Sequence, residues 1–497
     1  MGRIVGYQHV LDSLALTAFP PEQPAQVRPV TRITRTSDWL GIPENVAPAA
    51  RASLLEHVLF ALKHEGIHLA LLAQALPRLD PQELIQAVQA QPRGSYLRKL
   101  CTLWEAFQQE ELPVRHLSSQ TIPLFDPRYY VTRQQQVQRS RWGVLMNGLG
   151  QIGGAHGYCP VVRRTSAVLD GESSDLFHRL QQFQERVDPD LLQRTWNWAY
   201  LSETTSTYQI ERETPAPGKA ETFMRLLQRA HDPGQLDEAM MVSLQQAIVS
   251  NPWDQAVQYR TEQNWLSDGG IGLLGVTYVP PPPDILPELM QGWAAMVNSM
   301  AEHQDVAPVL AASLASFGFV FAHPFMDGNG RLSRYLFHRQ LAQSGVMADG
   351  AMLPISTAIA RHEKNYLQAL KSFSAPARQR WSGLWIAEGD MELRFEGDAA
   401  LYRYWDATEC VTFGFAMAEQ ALSHDLVQES RFLRQFDTLK QAVNQRYDVN
   451  DRVLNQLVRA CLSQGGRMSN NLRKKFADQL QQQEGIFDFL EARAAEL

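Results

Sequence analysis

His323-Pro324-Phe325-Met326-Asp327-Gly328-Asn329-Gly330-Arg331-Leu332-Ser333-Arg334 puts a titratable base, a carboxylate, two glycines and two arginines into twelve consecutive residues. Just upstream, residues 309–322 are almost wholly apolar. That run is too short, and too interrupted by Ser313, Ser316 and Gly318, to span a bilayer. It reads as a helix buried on all sides, with His323 where the helix runs out. Gly328 and Gly330 favour left-handed or crowded backbone that other residues avoid. Successive N–H groups there can form a concave nest for an anion. A new helix is expected from Arg331 onward, and its N-terminus adds unpaired donors and a positive dipole end, which suit phosphate. Arg331 and Arg334 are three apart and share a face of the first turn. Each can fork two hydrogen bonds to phosphate oxygens. Asp327 is a hard oxygen ligand of the kind that holds Mg2+ beside substrate phosphates. His323 titrates near neutrality and can accept a proton from a hydroxyl.

Read as H-x-F-x-D-G-N-G-R-x-x-R, the stretch resembles the motif of the Fic family, whose members mostly transfer AMP from ATP onto protein hydroxyls. The resemblance implies that His323 is the general base for a target Ser, Thr or Tyr. It implies that Asp327 coordinates Mg2+ bridging the α- and β-phosphates, and that Gly328, Asn329 and Gly330 cradle the phosphates. Arg331 would contact the β-phosphate and Arg334 the γ-phosphate. Phe325 takes the place of a core anchor. The acid at 327 and the intact G-N-G-R are similar to adenylyl-transferring members and unlike the divergent kinase-like relatives. Catalysis would be in-line attack at the α-phosphorus with pyrophosphate leaving, and positioning and charge neutralisation would dominate.

Two further elements extend the resemblance. Ser206-Thr207-Tyr208-Gln209-Ile210-Glu211 is similar to the inhibitory-helix motif [ST]-x-x-x-E-[GN], placing an inhibitory helix at about 200–213. Glu211 on Arg334 would compete with the γ-phosphate for one guanidinium. The chain departs from the pattern at Arg212, where Gly or Asn is usual. Because this element precedes the core, the chain resembles the class with an internal N-terminal inhibitory helix; in some relatives the same glutamate serves AMP removal. Gln263-Asn264-Trp265-Leu266, with a turn around Gly269-Gly270 and Tyr278-Val279 beyond, reads as a hairpin. It resembles the Fic flap, which pairs with the target backbone as an added strand. Tyr366 falls where relatives place an aromatic against adenosine; a packing role suits it equally.

The rest of the chain sets bounds. At 497 residues it exceeds one core, and roughly two to four domains are expected. The net charge of −7 argues against a broad nucleic-acid-binding surface. Cys101, Cys159, Cys410 and Cys461 are far apart and suggest reduced thiols in a cytoplasmic protein. There is no apolar leader at the first residues and no run of about 18 apolar residues.

The expected fold is mainly α: a Fic-type helical core with a small β-hairpin flap, plus helical N- and C-terminal accessory domains. The divisions are residues 1–112 (N-terminal helical domain), 113–180 (irregular connector), 181–380 (Fic core) and 395–497 (C-terminal helical domain). Arg473, Lys474 and Lys475 cluster in that tail; a packed helical appendage is favoured there over a DNA-binding module. The expected activity is autoinhibited protein adenylylation with ATP as substrate and Mg2+ as cofactor, acting on an unidentified protein, with self-modification and AMP removal as companion activities. The alternatives are transfer of another nucleotide such as UMP, or a nucleotide-sensing regulatory or DNA-binding protein. Homo-oligomerisation is left open, nucleic acid is not favoured as a partner, and a membrane is not expected as one.

Overall fold

The computed structural model describes residues 2–115, 120–249, 251–267, 269, 275–387, 390–477, 480 and 485–497. The fold is mainly helical with small sheets. No helix among the described residues is long and apolar enough to cross a membrane. The chain divides into two compact units. One comprises residues 1–174, 208–349 and 362–416; the other comprises 175–207, 350–361 and 417–497. These units do not follow the divisions drawn at 112, 180 and 380. Contacts are made by segments distant in sequence, and punctuation by Pro and Gly does not mark them.

In the first unit, the N-terminal helices include Leu54–His64, Leu69–Ala75, Pro81–Ala90 and Ser95–Gln108. Their starts follow local chemistry. Ser53 and Glu56 form a reciprocal capping box at the first, and Asp80 with Pro81 caps the third. A three-stranded sheet accompanies them: Leu40–Ile42 lies between Ala25–Val27, which it pairs in parallel, and Thr34–Arg35. The sequence reading left that stretch without strands. Leu71, Leu72, Leu100, Leu103 and Trp142 are among the buried residues of this core.

The site rests on three helices of the same unit, Leu286–His303, Pro308–Ala322 and Asn329–Gln343. Pro308–Ala322, hereafter the core helix, is buried on nearly every side, as its apolar sequence predicts. Gly318 admits a close neighbour rather than breaking the helix. A Cβ there would lie 2.9 Å from Trp293 Cδ1 and 2.5 Å from the Tyr158 hydroxyl. Trp293 Nε1 then donates to the Ala315 carbonyl at 3.2 Å. Asn329–Gln343, the motif helix, begins two residues earlier than the sequence reading placed it. Gly328, at φ +88°, caps it in the left-handed region, which starts the helix inside the G-N-G run.

Two hairpins complete the unit near the site. Leu266–Ser267 pairs antiparallel with Val276–Tyr278, so the expected flap is a short ladder; Gly270, the second residue of its expected turn, lies outside the described residues. The second hairpin, Trp381–Ala387 with Asp390–Phe395, was not read from the sequence. It packs Trp381, Met391, Leu393 and Phe395 against Trp265, Val276 and Val279 of the flap.

The second unit holds Leu176–Arg186, Ile355–Arg361, Val427–Asn444, Asp451–Ser463, Asn470–Ala477 and Ile486–Ala494. Leu439, Leu454, Leu457, Val458 and Leu490 are at the centre of its C-terminal core. Arg473, one of the clustered basic residues, is paired with Asp488 at 2.8 Å and Glu491 at 2.9 Å. Buried Glu203 accepts from the Ser356 amide at 2.7 Å and from its hydroxyl.

Candidate active site

The core helix ends because His323 takes a left-handed conformation, φ 47° and ψ 57°. That turn throws the chain into Pro324 and sets the imidazole at the helix mouth. His323 Nδ1 lies 3.2 Å from the Val320 carbonyl. A carbonyl only accepts, so Nδ1 carries the hydrogen and Nε2 keeps its lone pair. The residue is 8% exposed. Burial pushes its pKa down to about 4; the Val320 bond opposes this, the Arg260 charge assists it and Glu211 opposes it. The ring is therefore neutral at physiological pH, the form a base requires.

A titration follows from this environment. In the folded, nucleotide-free protein the His323 imidazole should stay neutral until the pH falls to about 4, read from its ring nitrogens by NMR. A midpoint near the unfolded value of about 6.5 would mean an open, solvated ring. Between those two values the unfolded chain binds the extra proton. This residue's contribution to stability is therefore lost progressively as the pH drops through that window.

Arg260, given no role from sequence, organises the loop. Its guanidinium donates to the carbonyls of His323 (2.9 Å), Glu262 (3.0 Å) and Pro281 (2.5 Å). Its own amide donates to the Pro324 carbonyl at 2.8 Å. Burial lowers its pKa to about 10, so it stays charged at neutral pH. One buried cation thus ties the base-bearing turn to the foot of the flap. Asn264 Nδ2 adds a bond to the Phe325 carbonyl (3.2 Å), and Gln263 Nε2 one to the Pro280 carbonyl (3.1 Å). Trp265 is partly buried against the second hairpin, whereas Leu266 is exposed.

The Asn329 side chain is not aimed at a ligand. Its Oδ1 accepts from the Phe325 amide (3.1 Å) and its Nδ2 donates to the Phe325 carbonyl (2.7 Å), stapling the loop shut. Phe325 is buried, as a core anchor should be. What this turn offers an anion is the motif helix's first-turn amides, which have no intrahelical acceptor. Buried Gln245 braces the loop by donating to the Asp327 carbonyl at 3.2 Å.

The two arginines of the motif are buried and occupied by acids. Glu211 Oε1 is 2.7 Å from Arg334 Nη2. The same carboxylate lies against Gly330, where an added Cβ would be 2.0 Å from it. Glu213 Oε2 is 2.9 Å from Arg331 Nη1, and Asp327 Oδ1 is 3.0 Å from Arg331 Nη2. Asp327 also accepts from the Gly328 amide at 2.6 Å. Tyr366 packs between Phe317 and Phe413, with ring centroids 6.2 and 5.7 Å away. Burial raises its hydroxyl pKa, and the nearby Arg334 charge opposes this.

The structure corrects the extent of the expected inhibitory helix at 200–213. The helix is Pro189–Ile210, and Glu211 sits just beyond it. Arg212 stops it at φ 56°. The Arg212 amide bonds the Gln209 carbonyl and the Glu213 amide bonds the Tyr208 carbonyl, both at 3.0 Å. That pair of bonds is a Schellman turn, whose left-handed position favours Gly or Asn. The departure at Arg212 thus keeps the geometry and adds strain. Arg212→Gly should remove roughly 0.5–1 kcal/mol of it. Amide exchange at Glu213 would then slow by roughly two- to fivefold; unchanged exchange would mean no strain is stored there.

Residues 235–341 match the Fic/DOC family. The Protein adenylyltransferase Fic of Drosophila yakuba is 45% identical over 69 residues, 14% of this chain and 14% of that protein. That of Drosophila melanogaster is 44% identical over 69 residues, with the same two shares. The chain thus spans only a small part of the length of these curated relatives. Among solved structures, a Fic family protein from Desulfovibrio desulfuricans G20 aligns with a TM-score of 0.37 at 20% identity, covering 64% of this chain and 86% of that one. A Fic domain containing signaling protein from Bacteroides thetaiotaomicron VPI-5482 aligns with a TM-score of 0.38 at 18% identity, covering 52% and 97%.

Proposed function

Because this chain carries a Fic domain, we propose that it is a protein adenylyltransferase held inactive by its own Glu211. The observation that carries this reading is the Glu211 carboxylate. It sits against Gly330 and on Arg334, at the helix N-terminus where the motif would seat a phosphate. The curated relatives that match here are named for the same chemistry.

In the active form, the triphosphate of ATP displaces Glu211. The motif-helix amides and the Arg331 and Arg334 guanidiniums take the phosphates. A Ser, Thr or Tyr oxygen of the target attacks the α-phosphorus in line, and His323 Nε2 receives its proton. The bond from the α-phosphorus to the bridging oxygen breaks, pyrophosphate leaves and AMP stays on the target as an ester. Arg260 and Asn329 hold the turn that sets His323, and Leu266 offers an exposed strand edge for the target backbone. Tyr366 closes the nucleotide side.

The donor set fits Mg2+ carried in with the nucleotide. Asp327 supplies one carboxylate, and no cluster of three His, Cys, Asp or Glu suited to a metal exists among the described residues. Mg2+ takes few protein ligands and shares the rest with phosphates and water. When bound, it neutralises phosphate charge. Self-modification and AMP removal with Glu211 aligning a water belong to the same reading.

The deciding experiment incubates Glu211→Gly protein with ATP labelled at the α- or the γ-phosphate. Label kept on protein only from the α position supports adenylylation. Label from γ means phosphoryl transfer, and label from neither means a nucleotide-binding module. UTP in parallel tests the base.

A further inference from the structure

We propose that Glu213 is a second inhibitory residue, holding Arg331 as Glu211 holds Arg334, so that the two carboxylates together fill two adjacent phosphate seats. This rests on the adenylyltransferase reading of the site given above.

Three observations carry it. The first is the turn. The Schellman bonds fix the backbone from Tyr208 to Glu213 and deliver both acids to the motif helix. Arg212 between them faces solvent, 87% exposed, with Glu363 no nearer than 3.9 Å. The second is the asymmetry of the Arg331–Glu213 pair. The Arg331 side chain is 2% exposed and Glu213 40%. The arginine belongs to the buried cradle, and the glutamate reaches in from the edge, as a displaceable ligand would.

The third is charge. Asp327, Glu211 and Glu213 surround two guanidiniums, which leaves one acid in excess. Burial raises the Glu213 carboxyl pKa; Arg331 opposes this, while Asp327 and Glu211 add to it. A pair kept only for stability gains nothing from that crowding, because like charges at close range oppose one another. A diphosphate in the two seats would displace Glu211 and Glu213 and so remove their mutual repulsion.

If each seat is blocked separately, removing Glu211 takes its carboxylate off Arg334 and leaves Arg331 held. Four proteins test this: the wild type, Glu211→Gly, Glu213→Gln and the double variant. Glutamine keeps the backbone turn and the side-chain size but loses the charge. The readouts are calorimetric affinity for Mg-ATP and for inorganic pyrophosphate, and label transfer from α-labelled ATP.

The expected result is that the double variant binds Mg-ATP on the order of tenfold more tightly than Glu211→Gly. Pyrophosphate, which spans two seats, should gain similarly. Equal affinities in those two proteins would overturn the role of Glu213 and leave Glu211 inhibition standing. Failure of Glu211→Gly to raise transfer would instead overturn the autoinhibition reading. Glu213→Gln alone, compared with the wild type, still reports whether Arg331 is blocked. Unchanged exchange at the Arg212 and Glu213 amides in Glu213→Gln would show that a change in affinity is not a loosened turn; faster exchange there would assign the gain to the turn and overturn the seat-filling role.

Discussion

Replacing His323 with alanine is expected to slow nucleotide transfer roughly 10²- to 10⁴-fold while leaving Mg-ATP affinity almost unchanged. The imidazole is the proposed base, neutral at the end of the core helix, but it holds none of the groups assigned to the phosphates. Those are the motif-helix amides, behind the Asn329 staple, and the two arginines, which pair with acids. The effect belongs in the Glu211→Gly background, where turnover is expected to be highest. His323→Asn is the control for the backbone, since asparagine tolerates the left-handed region. Both variants should bind ATP, and transfer should fall by that factor in each. Turnover at the rate of the Glu211→Gly parent in either would remove His323 from the chemistry.

The second large effect has the opposite sign. Glu211→Gly should raise self-modification by roughly 10- to 100-fold. A hydrogen bond to a charged group contributes about 1.5–3 kcal/mol, and each 1.4 kcal/mol is about tenfold in occupancy. The change takes the carboxylate off Arg334 and clears the space against Gly330. Label incorporated per minute from α-labelled ATP, compared with the wild type, checks it. A rate equal to or below the wild type would place the inhibitory contact elsewhere.

The parts of the site legible in the sequence are those in which chemistry sits at fixed spacing on one local element. Residues 323–334 are such a case: base, acid, glycines and arginines fall along a helix end and a helix start, and the structure gathers them in one unit. Glu211 was legible because its spacing from Thr207 follows a pattern. Glu213 was not, although it is only two residues away. Its partner Arg331 is 118 residues downstream, and nothing local distinguishes it from a surface acid. Arg260 was missed in the same way, for its partners are backbone carbonyls, and carbonyls carry no sequence identity. The helix end at Ile210 was misjudged because arginine gives no hint of a left-handed turn. The Trp381–Phe395 hairpin was missed because Trp381-Ser382-Gly383-Leu384-Trp385-Ile386-Ala387 alternates only weakly. Its inward face is defined by the flap it packs on.

Arg212 has one more consequence. A latch closed by glycine would rest shut at no steric expense. Here the turn residue carries a side chain that disfavours its own backbone angle by about 1 kcal/mol. Such a bias multiplies the sprung-open population by roughly five. On the proposed autoinhibition, the off state would therefore be set to leak, and a modest pull on that turn would be enough to spring it.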